Sequence, residues 1–290
     1  MGQGSLRTAL AGATARLREA GVASPRLDAE LLLLHALGWD RARLYAALTD
    51  PLPADAVAPF AALVARRLAG EPVAYLVGRR EFMGLDLAVG PGVLVPRPET
   101  ECLVEWLIAR LPPALGGRGG GAAGPRVADV GTGSGAIALS LAAALPGARV
   151  VGVDRSAAAL TYADANRRHR SLAGRVALVR GDLLAPVGRV DVIAANLPYL
   201  RPDQFHAGIA REPREALAGG PDGSDGLDLY RALLPQAAAL LAAPGLLAAE
   251  IDPSQAAPML ALCRAAFPQA AVGIERDLAG LERFVTVERH

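Results

Sequence analysis

Apolar positions recur at helical spacing through the first seventy residues, and the period then changes twice. Leu6, Leu10, Ala13 and Leu17 share one helical face, Ser5 stands where an N-cap belongs, and Gly21 ends the run. Ser24-Pro25 opens a second helix that Gly38 closes. Asp40 caps a third through Leu48. After the break at Asp50-Pro51-Leu52-Pro53, a fourth runs to Gly70 with Pro59 as a candidate kink. Short loops between amphipathic helices predict a small antiparallel bundle. From Arg79 to Val89 the alternation becomes two-residue around Gly84, the pattern of a β-hairpin. Pro96-Arg97-Pro98 fixes an extended segment, and Thr100 and Glu101 open a helix over 102–111. The glycine-rich stretch 112–125 reads as a flexible connection.

From Arg126 onward, strands and helices alternate. Strand 127–130 meets a glycine loop over 131–135 and a helix over 136–144. Strand 149–153 ends at Asp154, helix 157–168 follows, and strand 176–179 ends at Gly181-Asp182. A fourth strand, Val192-Ile193-Ala194-Ala195 entered by Asp191, stops at Asn196-Leu197-Pro198-Tyr199, because Pro198 has no N–H for a ladder. An insertion over 201–228 precedes helix 229–241, strand 246–251, helix 253–266 and a closing strand pair over 272–275 and 283–287. The expected class is α/β, with a mainly parallel sheet covered by helices on both faces. Ligands of such sheets bind at the carboxyl ends of the strands.

Composition narrows the partners. The 290 residues allow two domains, partitioned here as a helical domain over 1–71, a β-hairpin linker over 72–97 and the α/β domain over 98–290. A net charge of +1 gives no general attraction to nucleic acid or to an anionic membrane. Every basic side chain is arginine, which excludes a Walker A loop and a Schiff-base lysine. Cys102 and Cys263, with His35, His169, His206 and His290, show no metal-ligand spacing, so no metal is expected. There is no secretory signal, Leu6 breaks a myristoylation pattern, and no apolar run spans a bilayer. The expectation is a soluble, cytoplasmic monomer.

The strand ends carry the chemistry. Gly131, Gly133 and Gly135 let the chain turn tightly and let a ligand approach the backbone, and Asp154 ends the next strand where ribose hydroxyls would lie. Gly131, Gly133 and Ala136 also satisfy a dinucleotide fingerprint, which keeps a nicotinamide oxidoreductase in view. Two carboxylates favour S-adenosylmethionine. Asp129 before the loop would repel a pyrophosphate and attract an amino group, and Asp182 can accept from an adenine amine. At the fourth strand end, the Asn196 side-chain oxygen and the Leu197 carbonyl can each accept one N–H of a planar target nitrogen, with Tyr199 as a flat wall. Asn-x-Pro-Tyr in this setting resembles the target-amide motif of amino-methyltransferases.

Five stretches occur in one order: Val95-Pro96-Arg97-Pro98-Glu99-Thr100-Glu101, Asp129 to Gly135, Asn196-Leu197-Pro198-Tyr199, Arg211-Glu212-Pro213 and Asp222-Gly223-Ser224-Asp225-Gly226-Leu227. Together they resemble the release factor glutamine N5-methyltransferases, the HemK/PrmC family, over essentially the whole chain. The resemblance implies a Rossmann-like class I methyltransferase domain behind a helical substrate-recognition domain. It implies that the side-chain amide nitrogen (N5) of the glutamine in the Gly-Gly-Gln loop of class 1 peptide release factors is methylated. The donor would be S-adenosylmethionine, leaving S-adenosylhomocysteine. It would be held by Gly131, Thr132, Gly133, Ser134, Gly135, Asp154, Asp182, Leu183 and Asn196, with Thr100 and Asp129 nearby. Asn196, Pro198 and Tyr199 would be catalytic, and with Leu197 they would bind the substrate. The family usually has Asn-Pro-Pro-Tyr; Leu197 keeps the carbonyl but adds an N–H that needs a partner. Asn-Leu-Pro-Tyr is also similar to the motif of rRNA adenine N6-methyltransferases, which is the alternative. A relative that binds release factor or ribosome without turnover is the non-enzymatic alternative.

Overall fold

Residues 4–111, 124–206, 208–221 and 224–290 are described by the structure, a computed structural model. The connection expected over 112–125 lies, from 112 to 123, outside the described residues, as do Asp222 and Gly223. The chain forms two compact units, residues up to 79 with 206–211, and 80–205 with 212–290.

In the first unit the helices are α1 (Leu6–Glu19), α2 (Pro25–Leu37), α3 (Arg41–Ala46), α4 (Ala54–Leu68) and α5 (Val73–Val77). The capping signals act as expected. The Ser5 side chain accepts from the Thr8 N–H, Asp40 accepts from Arg43, and Gly38 ends α2 in the left-handed region. Leu6, Leu10 and Leu17 of α1 interlock with Leu32 and Leu33 of α2 and Phe60 and Val64 of α4 in one core. Two carboxylates at its edge are paired: Asp28 with Arg67 at 2.7 Å, and Glu30 with Arg41 at 2.5 Å and Tyr45 at 2.6 Å. Helix α5 falls inside the stretch expected as a linker. Pro72 starts it, and it packs on α2 and α4, so the bundle extends beyond residue 71.

The hairpin β1 (Arg79–Phe82) and β2 (Leu85–Ala88) joins the second unit rather than bridging as a separate linker. Its Phe82 and Leu87 enter the core beside α6 (Glu99–Arg110), and Asn166 pins it. That amide accepts from the Ala88 N–H at 2.7 Å and donates to the Ala88 and Ser134 carbonyls at 3.0 and 2.9 Å.

A seven-stranded sheet forms the body of this unit. Its strands are β3 (Arg126–Val130), β4 (Arg149–Asp154), β5 (Val176–Arg180), β6 (Val190–Ala195), β7 (Leu241–Glu250), β8 (Ala271–Arg276) and β9 (Glu282–Arg289), in the order β5-β4-β3-β6-β7-β9-β8. The first five run parallel, and β9 pairs antiparallel with both β7 and β8. Successive residues go to opposite faces. Val192, Ala194, Leu246 and Ala248 meet α6 and α7 (Ala136–Ala144), whereas Ile193, Ala195, Leu247 and Ala249 meet α9 (Asp228–Leu240) and α10 (Ala256–Ala266). Helix α8 (Ala157–His169) follows β4. Chain order reverses beside β3, whose neighbours are β4 and β6. That reversal is the switch point at which an open sheet leaves a crevice.

Candidate active site

The crevice is an open cleft at the carboxyl ends of β3, β4, β5 and β6. Gly131, Gly133, Asp154, Asp182, Leu183 and Asn196, all predicted site residues, line it together with Leu197 and Pro198. Gly92, Val93 and Leu94 form one wall, and Pro213, Glu215 and Ala216 another. Pro96-Arg97-Pro98, the extended segment that follows the first wall, is not in the lining. Arg97 instead ties the two walls together. Buried Glu212 accepts from its guanidinium at 2.5 Å and from the Val95 N–H at 3.0 Å.

Thr100, Asp129, Thr132, Ser134, Gly135 and Tyr199 sit outside this lining. The glycine loop explains why. Gly131, Gly133 and Gly135 have φ of +74°, +56° and +84°, which swing the chain from β3 into α7. Gly135 occupies the N-cap of α7 without a side chain to cap it. Asp129 does so instead from the end of β3, its Oδ2 accepting from the Ala138 N–H at 3.0 Å and from the Thr132 hydroxyl at 2.6 Å. The other oxygen, Oδ1, is buried with no partner among the described residues. Burial, with a smaller push from the charge of Asp154, raises the Asp129 carboxyl to about 6 against the two donors that lower it. Asp154 braces the loop from β4, accepting from the Gly133 and Ser156 N–H groups at 2.9 and 2.8 Å. Asp182 is exposed at the end of β5, and Leu183 beyond it has φ +49°, a strained value for a branched side chain.

These residues fit S-adenosylmethionine. The Asp129 oxygen without a partner among the described residues suits an ammonium group and would repel a pyrophosphate, and Asp154 and Asp182 offer acceptors along the cleft. Among the described residues, no cluster of three or more His, Cys, Asp or Glu is placed to hold a metal. No helix among them is long and apolar enough to cross a membrane.

On the β6 side, Asn196 is half-buried, and its Nδ2 donates to Thr100 Oγ1 at 3.0 Å. Thr100, the second residue of α6, donates to Glu250 Oε2 at 2.6 Å, and the Tyr199 hydroxyl donates to Glu250 Oε1 at 3.1 Å. Thr100 is therefore a partner of Asn196 from behind. The N–H that Leu197 has in place of proline donates to the Tyr230 hydroxyl at 3.3 Å, and Tyr230 donates in turn to the Glu250 main-chain carbonyl. Gln255 holds the far end of the motif by donating to the Tyr199 carbonyl at 2.8 Å. Glu250 and Tyr230 are not among the site residues expected from the sequence. Their signal was a lone charge in the apolar run Leu246 to Ile251 and a lone phenol on the buried face of α9. Glu250 is 1% exposed with both oxygens engaged, so it is no proton acceptor for a substrate.

Comparison with known proteins identifies the family. The PrmC N-terminal domain family matches residues 8–78, and the Methyltransferase small domain family matches residues 106–216. The release factor glutamine methyltransferase of Moorella thermoacetica is 46% identical over 96% of this chain and 96% of its own. That of Mycolicibacterium smegmatis is 41% identical over 98% of each. A methyltransferase structure from Pyrococcus furiosus, 19% identical, superposes with a TM-score of 0.52 over 78% of this chain and 96% of its own, a likeness of fold.

Proposed function

Since the chain belongs to the release factor glutamine methyltransferases, we propose that it transfers a methyl group from S-adenosylmethionine to N5 of the glutamine in the Gly-Gly-Gln loop of class 1 peptide release factors. The observation that carries the reading is Asn196. Its carboxamide nitrogen is held from behind by Thr100 at 3.0 Å, while the residue borders the same cleft as the glycine loop.

An amide nitrogen is a weak nucleophile because its lone pair is delocalised into the carbonyl. S-adenosylmethionine supplies an electrophilic sulfonium methyl when bound at the cleft. The chain itself holds the nitrogen so that its lone pair can be used. Asn196 Oδ1 accepts one target N–H and the Leu197 carbonyl the other, which orients the nitrogen and favours the positive charge that grows on it. The nitrogen's surplus proton passes to water after transfer. Pro198 ends β6 beside the cleft that Asn196 and Leu197 also line. Tyr199, outside that lining and held by Glu250, flanks the motif as a flat side for the planar amide. Gly131, Gly133, Asp154, Asp182 and Leu183 form the cofactor side, with Asp129 beneath the loop for the amino group. The helical unit serves to recognise the release factor, and the protein works in the cytoplasm as a monomer.

The test offers purified release factor and ribosomal RNA side by side to the enzyme with radiolabelled S-adenosylmethionine. Label in the release factor, lost when its Gly-Gly-Gln glutamine is replaced, is the expected result. Label in the RNA alone would establish the adenine N6 alternative.

A further inference from the structure

The two ends of a carboxamide have almost the same size, so packing alone does not decide which one faces a substrate. For Asn196 the choice is decisive. With Oδ1 toward the target nitrogen it accepts a hydrogen bond, and with Nδ2 toward it two donors collide.

The sheet places the deciding group. Ala195 pairs with Ala249 in parallel register, so Asn196 and Glu250 leave β6 and β7 side by side. Glu250 can only accept as a carboxylate, and its two oxygens take the protons of Thr100 and Tyr199. Thr100 has a single hydroxyl proton and has given it to Glu250. Toward Asn196 it offers only lone pairs, so the atom 3.0 Å away must be a donor, Nδ2. Oδ1 is thereby turned the other way.

We infer that Glu250 is a positioning residue for the methyl transfer, acting through Thr100 to fix which end of the Asn196 carboxamide faces the target nitrogen. This rests on the glutamine-methylation reading of the site. Stability alone is a poor reason for a carboxylate in this place, because a buried charge costs more than an apolar side chain of the same volume. Burial does push the Glu250 carboxyl upward, and the nearby charge of Glu99 adds to this. The Thr100 and Tyr199 hydroxyls and the charge of Arg283 oppose both.

Glu250→Gln is the direct test. Glutamine keeps the shape but carries a donor and an acceptor, so Thr100 is no longer obliged to donate and the chain can run either way. Single-turnover methylation of release factor should fall about 30-fold or more, with S-adenosylhomocysteine affinity kept within about threefold. Thr100→Val should fall similarly, Thr100→Ser should return to within about threefold of wild type, and Glu250→Gln with Thr100→Val should be no worse than Thr100→Val alone. The Asn196 side-chain NH2 protons give a readout that needs no substrate: slow exchange in the wild type, fast in Glu250→Gln. Wild-type turnover in a folded Glu250→Gln protein, or losses that simply multiply, would overturn the inference. Should Glu250→Gln not fold, the contrast between Thr100→Val and Thr100→Ser decides. Should the wild type methylate no release factor, the functional reading fails and the catalytic part of the inference with it, while the exchange measurement still decides whether Glu250 fixes the Asn196 carboxamide.

Discussion

The glycine-loop region and the Asn196 region each rest on a carboxylate buried at the end of a parallel strand, and the two are used in opposite ways. Asp129 gives one oxygen to the start of α7 and keeps the other without a partner. Glu250 gives both oxygens to hydroxyls and keeps nothing. A buried polar atom without a partner is costly and marks a place where a ligand donor belongs. A saturated buried carboxylate marks a fixed scaffold. One half of the site is built to be completed by what binds there, and the other to hold two acceptors still.

The largest expected effect breaks the scaffold half. Asn196→Ala removes the side-chain acceptor proposed for the target nitrogen and leaves the glycine loop intact. Turnover should fall about a hundredfold or more, on the order of 3 kcal/mol of transition-state stabilisation, with cofactor affinity much less affected. Single-turnover transfer and calorimetry with S-adenosylhomocysteine, run in parallel, measure both. Near-wild-type turnover would mean that Asn196 is only a turn residue.

Breaking the ligand-completed half should give the reverse pattern. Asp129→Asn removes the charge meant for an ammonium group, and S-adenosylhomocysteine should bind about tenfold more weakly, with turnover at saturating cofactor less changed. The pH dependence sharpens this. The buried Asp129 carboxyl titrates at about 6, so wild-type affinity should rise as pH climbs from 5 to 7, and the variant should stay flat. Stability moves the other way. The folded protein keeps this proton longer than the unfolded chain, so this group's contribution is present below the ordinary value of 3.8 and is lost as pH rises through about 6. A variant with the wild-type pH slope would place the titrating group elsewhere.

What the sequence revealed of these halves follows from how local each constraint is. The glycine loop and the stop at Pro198 were legible because glycine and proline act on their own backbone. Ser5, Gly38 and Asp40 were legible as helix ends for the same reason. Glu250 was not, because its meaning lies in Thr100, 150 residues away in sequence, and in a strand register that no local pattern encodes. Helix α5 is five residues long, too short to show a period. Strand β7 begins at Leu241, earlier than the start at 246 expected from the apolar run. The ladder shifts register between Val190 and Val192 and takes up the extra residues. The cofactor side was read from strand ends, which placed Asp154 and Asp182 in the cleft but could not separate them from Asp129 beneath the loop.

The smallest effect concerns Leu197, where the chain departs from the proline usual in its family. Its carbonyl is the acceptor we propose for the target N–H, and proline would keep it, so Leu197→Pro should hold turnover within about threefold. The N–H that proline lacks is satisfied by Tyr230, and the Leu197 side chain is buried beside Gly131. Stability should therefore fall by about 1–2 kcal/mol, from the lost bond and the lost packing. Tyr230→Phe separates these contributions. It leaves the Leu197 N–H buried without an acceptor and should cost about 1–3 kcal/mol. It also removes the hydroxyl's bond to the Glu250 carbonyl, but that loss is the same whether residue 197 is leucine or proline. In the Leu197→Pro background there is no N–H to strand, so Tyr230→Phe should cost about 1 kcal/mol less there. Denaturant unfolding of the four proteins measures that difference. A coupling of zero would mean that the Tyr230 hydroxyl does not serve residue 197, and that the chain tolerates leucine for some other reason.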